Sequence, residues 1–164
     1  MKRRYKLWVT LAALAGFHGA ILFAGFFAPY SFSAQDRDVP FAPPSRIHFV
    51  DSHGRFHVRP FVYGLKGDPH NYDSYQADIQ EIYPLRFFVK GAPYKLAGLF
   101  ASRTHLFGAD APGRVFLMGT DGYGRDQFSR LLYGGQISLA AGWIAAAFSI
   151  LLGVIIGSLA GFYG

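Results

Sequence analysis

Six histidines, ten acidic side chains and a glycine-rich run are the residues of this chain whose types could do chemistry. His48, His53, His57 and His70 fall close together, and neutral imidazole is a common metal ligand. No H-x-x-x-H or H-E-x-x-H spacing links them, and the pair His48 and His57 on one side of a hairpin does not make a ligand set. The expectation is no metal site. Asp68, Asp73, Asp78 and Glu81 lack a paired arrangement for acid–base work. Ser102, His105 and Asp110 hold the atoms of a triad without a nucleophile elbow, so no catalytic residue is expected. The run Gly119-Thr-Asp-Gly-Tyr-Gly-Arg-Asp-Gln-Phe-Ser-Arg-Leu-Leu-Tyr-Gly134 is glycine-rich but has no G-x-x-x-x-G-K-[ST] pattern and opens no βαβ unit, which excludes a nucleotide cofactor. Absence of cysteine excludes a disulfide framework and thiolate ligands.

The elements that position these residues follow from where charge is missing. Residues 7–35 and 131–164 contain no Asp, Glu, Lys or Arg. Two apolar blocks around one polar block predict a chain that crosses a bilayer twice. Residues 1–6 form a basic, cytoplasmic N-terminus, and residues 7–29 the first transmembrane helix. Leu7–Ala28 spans about 33 Å as a helix, enough for the hydrocarbon core. This apolar run is longer than a signal-peptide core and lacks a clean A-x-A site. Pro29 and Tyr30 close it. His18, inside it, is expected as a neutral histidine bonded to a neighbouring helix rather than a relay.

The net charge of +6 is mostly topological. Lys2, Arg3, Arg4 and Lys6 supply four positive charges, and the remaining 12 basic residues face 10 acidic ones. No basic stripe is left to neutralise phosphates, so nucleic acid is excluded as a partner. A basic cluster beside an apolar run places the N-terminus in the cytoplasm and residues 30–136 outside.

Residues 30–118 are expected to form a small extracytoplasmic insert containing β structure. Ser31–Ser45 reads as a connector, and 46–63 as a β-hairpin turning at Asp51–Gly54, with Pro60 at an edge or at the end of the ladder. Residues 64–81 read as polar and turn-rich. Pro84–Val89 and Tyr94–Leu96 read as a strand pair about Lys90–Pro93, Leu106–Gly113 as a turn and Val115–Met118 as a short strand.

Residues 119–136 predict an interfacial elbow. Thr120 or Asp121 would cap a short helix starting near Gly124, Asp126 and Arg130 would pair four apart, Phe128, Leu131 and Leu132 would share an apolar face, and Gly134 would end the helix in a left-handed cap. The product is an amphipathic helix on the outer membrane surface, with re-entry at Ile137. Residues 137–164 form the second transmembrane helix, in which Gly153, Gly157 and Gly161 line one face for helix packing. Ala12, Gly16, Ala20 and Ala24 make a similar ridge on the first. The fold class expected is therefore membrane α-helical, with two transmembrane helices, a small β-containing insert and an interfacial amphipathic helix.

The run from Gly119 to Leu139, with GVIIGSLAGFYG after it, resembles the inner-membrane permease subunits of ABC importers for dipeptides, oligopeptides and nickel, above all the second, C-type permease. The family pattern is G-T-D-x-x-G-R-D-x-x-S-R-x-x-x-G-x-R-x-S-L. Gly119, Thr120, Asp121, Gly124, Arg125, Asp126, Ser129, Arg130, Gly134, Ser138 and Leu139 match it. Gln136 stands at a common arginine, and Phe162 replaces a tyrosine in the A-G-Y-x-G ending. The resemblance implies a structural elbow with no catalytic chemistry of its own. It implies a permease heterodimer in the bacterial cytoplasmic membrane, cytoplasmic ATP-binding subunits that supply the energy, and an extracytoplasmic solute-binding protein. Members of the family continue through further spans and an E-A-A coupling helix, absent here, so the chain is expected to be an N-terminal fragment. The insert is longer than the usual loop. Two other readings share the topology: a two-span sensor and a membrane-anchored extracytoplasmic enzyme. The sensor supplies no reason for the G-T-D…G-R-D…S-R run, and activity or stoichiometric metal in residues 30–130 would support the enzyme.

Overall fold

A computed structural model describes residues 2–68, 71–96 and 98–164. The elements are α1 (Lys2–Leu22), α2 (Ala24–Phe27), β1 (His48–Val50), β2 (Phe56–Asp68), β3 (Asn71–Leu96), β4 (Phe100–Ala109) and α3 (Gln127–Tyr163). Two of them, α1 and α3, are long and apolar enough to cross a membrane. Between them lies a four-stranded antiparallel sheet in the order β1-β2-β3-β4.

Helix α1 starts earlier than expected, because Lys and Arg are good helix formers and continue the apolar run toward the N-terminus. It breaks at Phe23 and gives way to the single turn of α2, closed by Ala28 N–H donating to the Ala24 carbonyl at 2.7 Å. Ala28 is extended, as a residue before proline prefers to be. His18 does not reach a neighbouring helix: its Nδ1 lies 2.8 Å from the Leu14 carbonyl of its own helix.

The predicted hairpin over 46–63 is present as β1 and β2, and Gly54 takes the left-handed φ of +78° that its turn requires. Asp51 organises that turn. Its Oδ1 accepts from the His53 and Arg55 amides, each at 2.9 Å, and its Oδ2 accepts from Arg55 Nε at 2.8 Å. The hydrogen bond from His57 Nε2, at 3.0 Å, is the main reason the Asp51 carboxyl lies well below the usual carboxylate range.

The rest of the insert differs from expectation. Residues 64–68 and 71–81 are strand rather than turn, because β2 runs on to Asp68 and pairs with the first half of β3, and residues 69–70 of that expectation lie outside the described residues. Pro60 sits just before Phe61, where that second ladder starts, so its missing N–H costs no bond there. Pro84–Val89 and Tyr94–Leu96 are not partners of each other. Both belong to β3, whose second half pairs with β4. Lys90–Pro93 forms a register shift rather than a reversal. His105 lies against this step: a Cβ on Gly91 would stand 2.7 Å from its ring, so only glycine lets the backbone pass the imidazole this closely. Leu106–Ala109 is strand, and the turn is confined to Asp110–Gly113. Val115–Met118 is no strand. The Phe116 amide donates to Ser45 Oγ at 3.0 Å and its carbonyl accepts from the Ser45 amide at 2.7 Å, so this segment bonds to the connector instead of a ladder.

Two small apolar clusters hold the insert. Val39, Ala42 and Phe116 pack with Tyr30, Leu65 and Tyr75, and Val62, Leu85 and Val115 pack with Tyr83, Phe107 and Leu117. Both clusters use the 115–116 segment, which leads directly to the glycine-rich run.

Candidate functional site at the helix junction

Every motif residue from Gly119 to Arg130 falls in one hydrogen-bonded knot at the N-terminus of α3. The chain enters through Gly119, at a φ of +75°, where a Cβ would stand 2.5 Å from the Ala42 carbonyl oxygen. Thr120 then fastens the connector. Its Oγ1 donates to the Val39 carbonyl at 2.6 Å and accepts from the Ala42 amide at 2.8 Å, while its own amide donates to the Ala42 carbonyl at 2.9 Å. The Phe41 amide returns to the Asp121 carbonyl at 3.0 Å. The connector, featureless in sequence, is thus a strap paired strand-like to the motif.

Asp121 folds the tight loop that follows. Oδ1 accepts from the amides of Tyr123 at 2.9 Å and Arg125 at 3.1 Å, and Oδ2 accepts from Arg125 Nε at 2.8 Å and from Arg130 Nη1. Burial pushes the Asp121 carboxyl up, but the amide bonds of Arg125 and Tyr123 and the Arg125 guanidinium outweigh it, and it lies below the usual range. Arg125 also stacks over the Tyr123 ring at 4.8 Å.

Asp126, and neither Thr120 nor Asp121, is the helix cap. Gly124 holds a φ of +69°, which a right-handed helix cannot contain, so α3 starts three residues later than expected. Asp126 Oδ2 accepts from the Ser129 amide at 2.8 Å and from Ser129 Oγ at 2.6 Å. Burial pushes the Asp126 carboxyl up, and the Ser129 bonds offset only part of that. The predicted Asp126–Arg130 pair is not formed, because Asp126 turns inward to Ser129 and Arg130 reaches back to Asp121. Ser129 Oγ in turn accepts from the Tyr30 amide at 3.3 Å. Tyr30, expected only to close the first span, does more. It is half-buried, its hydroxyl accepts from the Val115 amide at 2.9 Å, and its ring lies 5.6 Å from that of Phe116. Burial pushes its phenol up.

No separate amphipathic helix follows. Helix α3 is one continuous element of 37 residues. Gly134 and Gly135 stay right-handed inside it. Phe128 turns toward Phe107, with ring centroids 6.4 Å apart, while Leu131, one turn on, is exposed, so the face they share is not buried along its length. The glycine pair serves proximity: a Cβ on Gly135 would stand 3.0 Å from Ile21 Cδ1 of α1. Gln136, at the family's arginine position, donates from Nε2 to the Leu22 carbonyl at 3.0 Å, satisfying one orphan carbonyl at the end of α1. Beyond this crossing the helices part. At Gly16, Gly153, Gly157 and Gly161 a Cβ would meet no atom within 4 Å, so the two small-residue ridges do not meet within the chain.

The chemical candidates stay apart. Ser102 Oγ accepts from the Thr104 amide, His105 lies on two backbone carbonyls and Asp110 pairs with Arg86 at 3.0 Å, so no triad is assembled. His48 and His57 both pack on Phe61, with ring centroids 5.8 Å and 5.0 Å away. Asp78 pairs with Lys66 at 2.5 Å. His70 lies outside the described residues, and among those described no three metal-ligating side chains converge. What the geometry provides is a hydrogen-bonded junction between Tyr30 after α2, the strap and the start of α3.

Because Asp126 and Arg130 serve different partners, a double-mutant cycle separates them. Asp126→Ala is expected to cost about 1 kcal/mol as a lost cap, with coupling to Arg130→Ala near zero. Coupling should appear between Asp121→Ala and Arg130→Ala, at roughly 0.5 kcal/mol for a partly exposed pair. Thermal unfolding of the three variants and the two doubles measures both, and coupling of Asp126 to Arg130 above that of Asp121 would contradict the assignment.

No protein-family profile and no solved structure matches the chain. Curated relatives match parts of it. A putative peptide transport system permease protein of Brucella suis is 50% identical over 52 residues, 32% of this chain and 18% of the relative. The dipeptide transport system permease protein DppC of Alkalihalophilus pseudofirmus is 33% identical over 73 residues, 44% of this chain and 24% of the relative. The oligopeptide transport system permease protein OppC of Bacillus subtilis is 45% identical over 64 residues, 38% of this chain and 21% of the relative. The chain thus spans about a fifth of the length of the curated relatives it matches. All three are transport permease subunits rather than enzymes. Through these stretches the chain is recognised as a relative of the peptide-transporting ABC permease subunits, of the DppC and OppC kind.

Proposed function

We propose that the chain is part of a permease subunit of an ABC importer that moves peptides or similar small solutes across the bacterial cytoplasmic membrane. A second permease would form the heterodimer, cytoplasmic ATP-binding subunits would supply the energy, and an extracytoplasmic binding protein would deliver the solute. The observation that carries this reading is the junction. Residues that match the family pattern, Thr120, Asp126 and Ser129, fasten the strap and Tyr30 to the start of α3, and no catalytic or metal-binding arrangement competes with them among the described residues. The exposed ridge Gly153, Gly157 and Gly161 fits packing against further helices. The basic N-terminus favours residues 1–6 in the cytoplasm, 30–118 as an extracytoplasmic insert and 119–136 at the outer membrane face.

The tagged protein, purified from its host membranes, is expected to carry an ATP-binding subunit and a second permease. Deletion of its gene is expected to abolish uptake of radiolabelled di- or oligopeptide. Undiminished uptake together with a co-purifying signalling protein would overturn the reading in favour of a sensor. Gln80→Cys, on the exposed insert, should react with a membrane-impermeant thiol reagent in intact cells; reaction only after permeabilisation would invert the orientation.

A further inference from the structure

The turn between β3 and β4 lies beside the apolar helices rather than away from them. Gly98, at a φ of +75°, lines the same groove as His18 and Leu22 of α1 and Gln136, Leu139 and Trp143 of α3. Those helix residues belong to the two charge-free blocks, 7–35 and 131–164. The tip of this hairpin is therefore level with the outer ends of both spans.

Its side chains suit that height. Leu99 is 77% exposed and Phe100 70% exposed, at a turn where a water-facing protein would usually place polar residues. Leu96 is paired with Phe100 across the ladder, which closes an apolar tip. Lys95 and Arg103 are both exposed and lie behind it on the two strands. Long cationic side chains set back from an apolar tip can lay their stems on hydrocarbon and hold their charges among anionic headgroups. Trp143, at the same groove, is of the type enriched where the bilayer meets water.

We infer that the β3–β4 tip is a membrane-dipping element: Leu99 and Phe100 enter the outer-leaflet hydrocarbon while Lys95 and Arg103 contact lipid headgroups. The occupant of this surface is lipid, and the argument for it is continuity with the two apolar spans together with the placement of charge. The inference rests on the membrane-spanning reading of α1 and α3.

Absence of native cysteine makes the test direct. Single cysteines at Leu99, Leu151 and Gln80, each carrying a nitroxide label, are compared in vesicles of phosphatidylethanolamine and phosphatidylglycerol. Collision with oxygen, which partitions into lipid, is measured against collision with a water-soluble nickel chelate. The Leu99→Cys label is expected to show an oxygen-to-nickel ratio severalfold above that of Gln80→Cys and similar to that of Leu151→Cys on α3. A Leu99 ratio equal to that of Gln80, with Leu151 still in lipid, would place the tip in water and overturn the inference alone. Shielding of Leu99 from both reagents would assign the surface to another protein chain, which also overturns it. If Leu151 itself contacts the nickel chelate, the membrane-spanning reading fails first. Phe100→Cys repeats the measurement independently of the Leu99 site.

Discussion

Gly124→Ala is expected to destabilise the protein by roughly 2–3 kcal/mol, a fall in Tm of roughly 5–10 °C for a chain of this size. Two effects add. The left-handed φ of +69° costs an alanine about 1–2 kcal/mol by itself. The new methyl group would also lie 1.7 Å from the carbonyl oxygen of Asp36 and 2.6 Å from its carbon, both backbone atoms. No rotamer relieves that clash, so the strap must move. Movement of the strap weakens the Val39 amide bond to the Asp36 carbonyl, at 3.3 Å, and the ion pair between Asp36 and Arg114, at 2.6 Å. Gly134, from the same glycine-rich run, predicts the opposite. It is helical and has nothing within 4 Å of a Cβ, so Gly134→Ala should gain about 0.5–1 kcal/mol from helix propensity. Thermal unfolding of the two purified variants in detergent checks the contrast. An unchanged Tm for Gly124→Ala, or a fall for Gly134→Ala equal to it, would show that the run does not form the loop and helix described.

The contrast between these glycines marks the limit of what the sequence could tell. Gly124 reads as the start of a short helix and Gly134 as its left-handed cap, since glycine permits a left-handed φ but does not require one. Gly54 could be placed because alternating residues on both sides of Asp51–Gly54 agree on a hairpin. Gly124 and Gly134 differ only in what surrounds them in three dimensions: the Asp36 carbonyl in one case, open space in the other. The apolar blocks were legible because charge is excluded from hydrocarbon irrespective of tertiary contacts. The cap was not: Thr120, Asp121 and Asp126 are all capping types, and the choice among them is made by the strap, which occupies Thr120 and shapes the loop around Asp121. The strap carries no periodicity because backbone amides and carbonyls, which every sequence has, fix it to the motif, and only Val39 and Ala42 of its side chains enter the apolar cluster. Strand β3 was hidden for a related reason. Pro84, Gly91 and Pro93 interrupt its alternation, and they are tolerated because β3 exchanges its partner near Pro84 and shifts register beside His105 near Gly91.

His105→Ala tests whether the insert is held to the end of α2 at that step. His105 is 1% exposed, the most buried ionisable residue of β4, and its ring nitrogens lie 2.6 Å from the Ala28 carbonyl oxygen and 3.0 Å from that of Ala92. Ala28 ends the helical segment before Pro29, where a carbonyl has no partner further along the helix. The imidazole therefore joins three things: the end of α2, the register shift of β3 and strand β4, with the Tyr94 ring 5.1 Å away. Alanine takes the ring away from the buried Ala28 carbonyl and leaves a cavity the size of a ring, which together should cost on the order of 3 kcal/mol. His105→Phe fills the volume without the hydrogen bonds, so it should recover only the packing share. The two losses are read by thermal unfolding, and their location by limited proteolysis, with faster cleavage expected in 84–109 while the 119–130 knot stays protected. Wild-type stability in His105→Ala, or full recovery in His105→Phe, would mean that the insert is docked by apolar packing alone. Partial recovery would identify His105 as the polar bond that couples the position of the sheet to the end of α2.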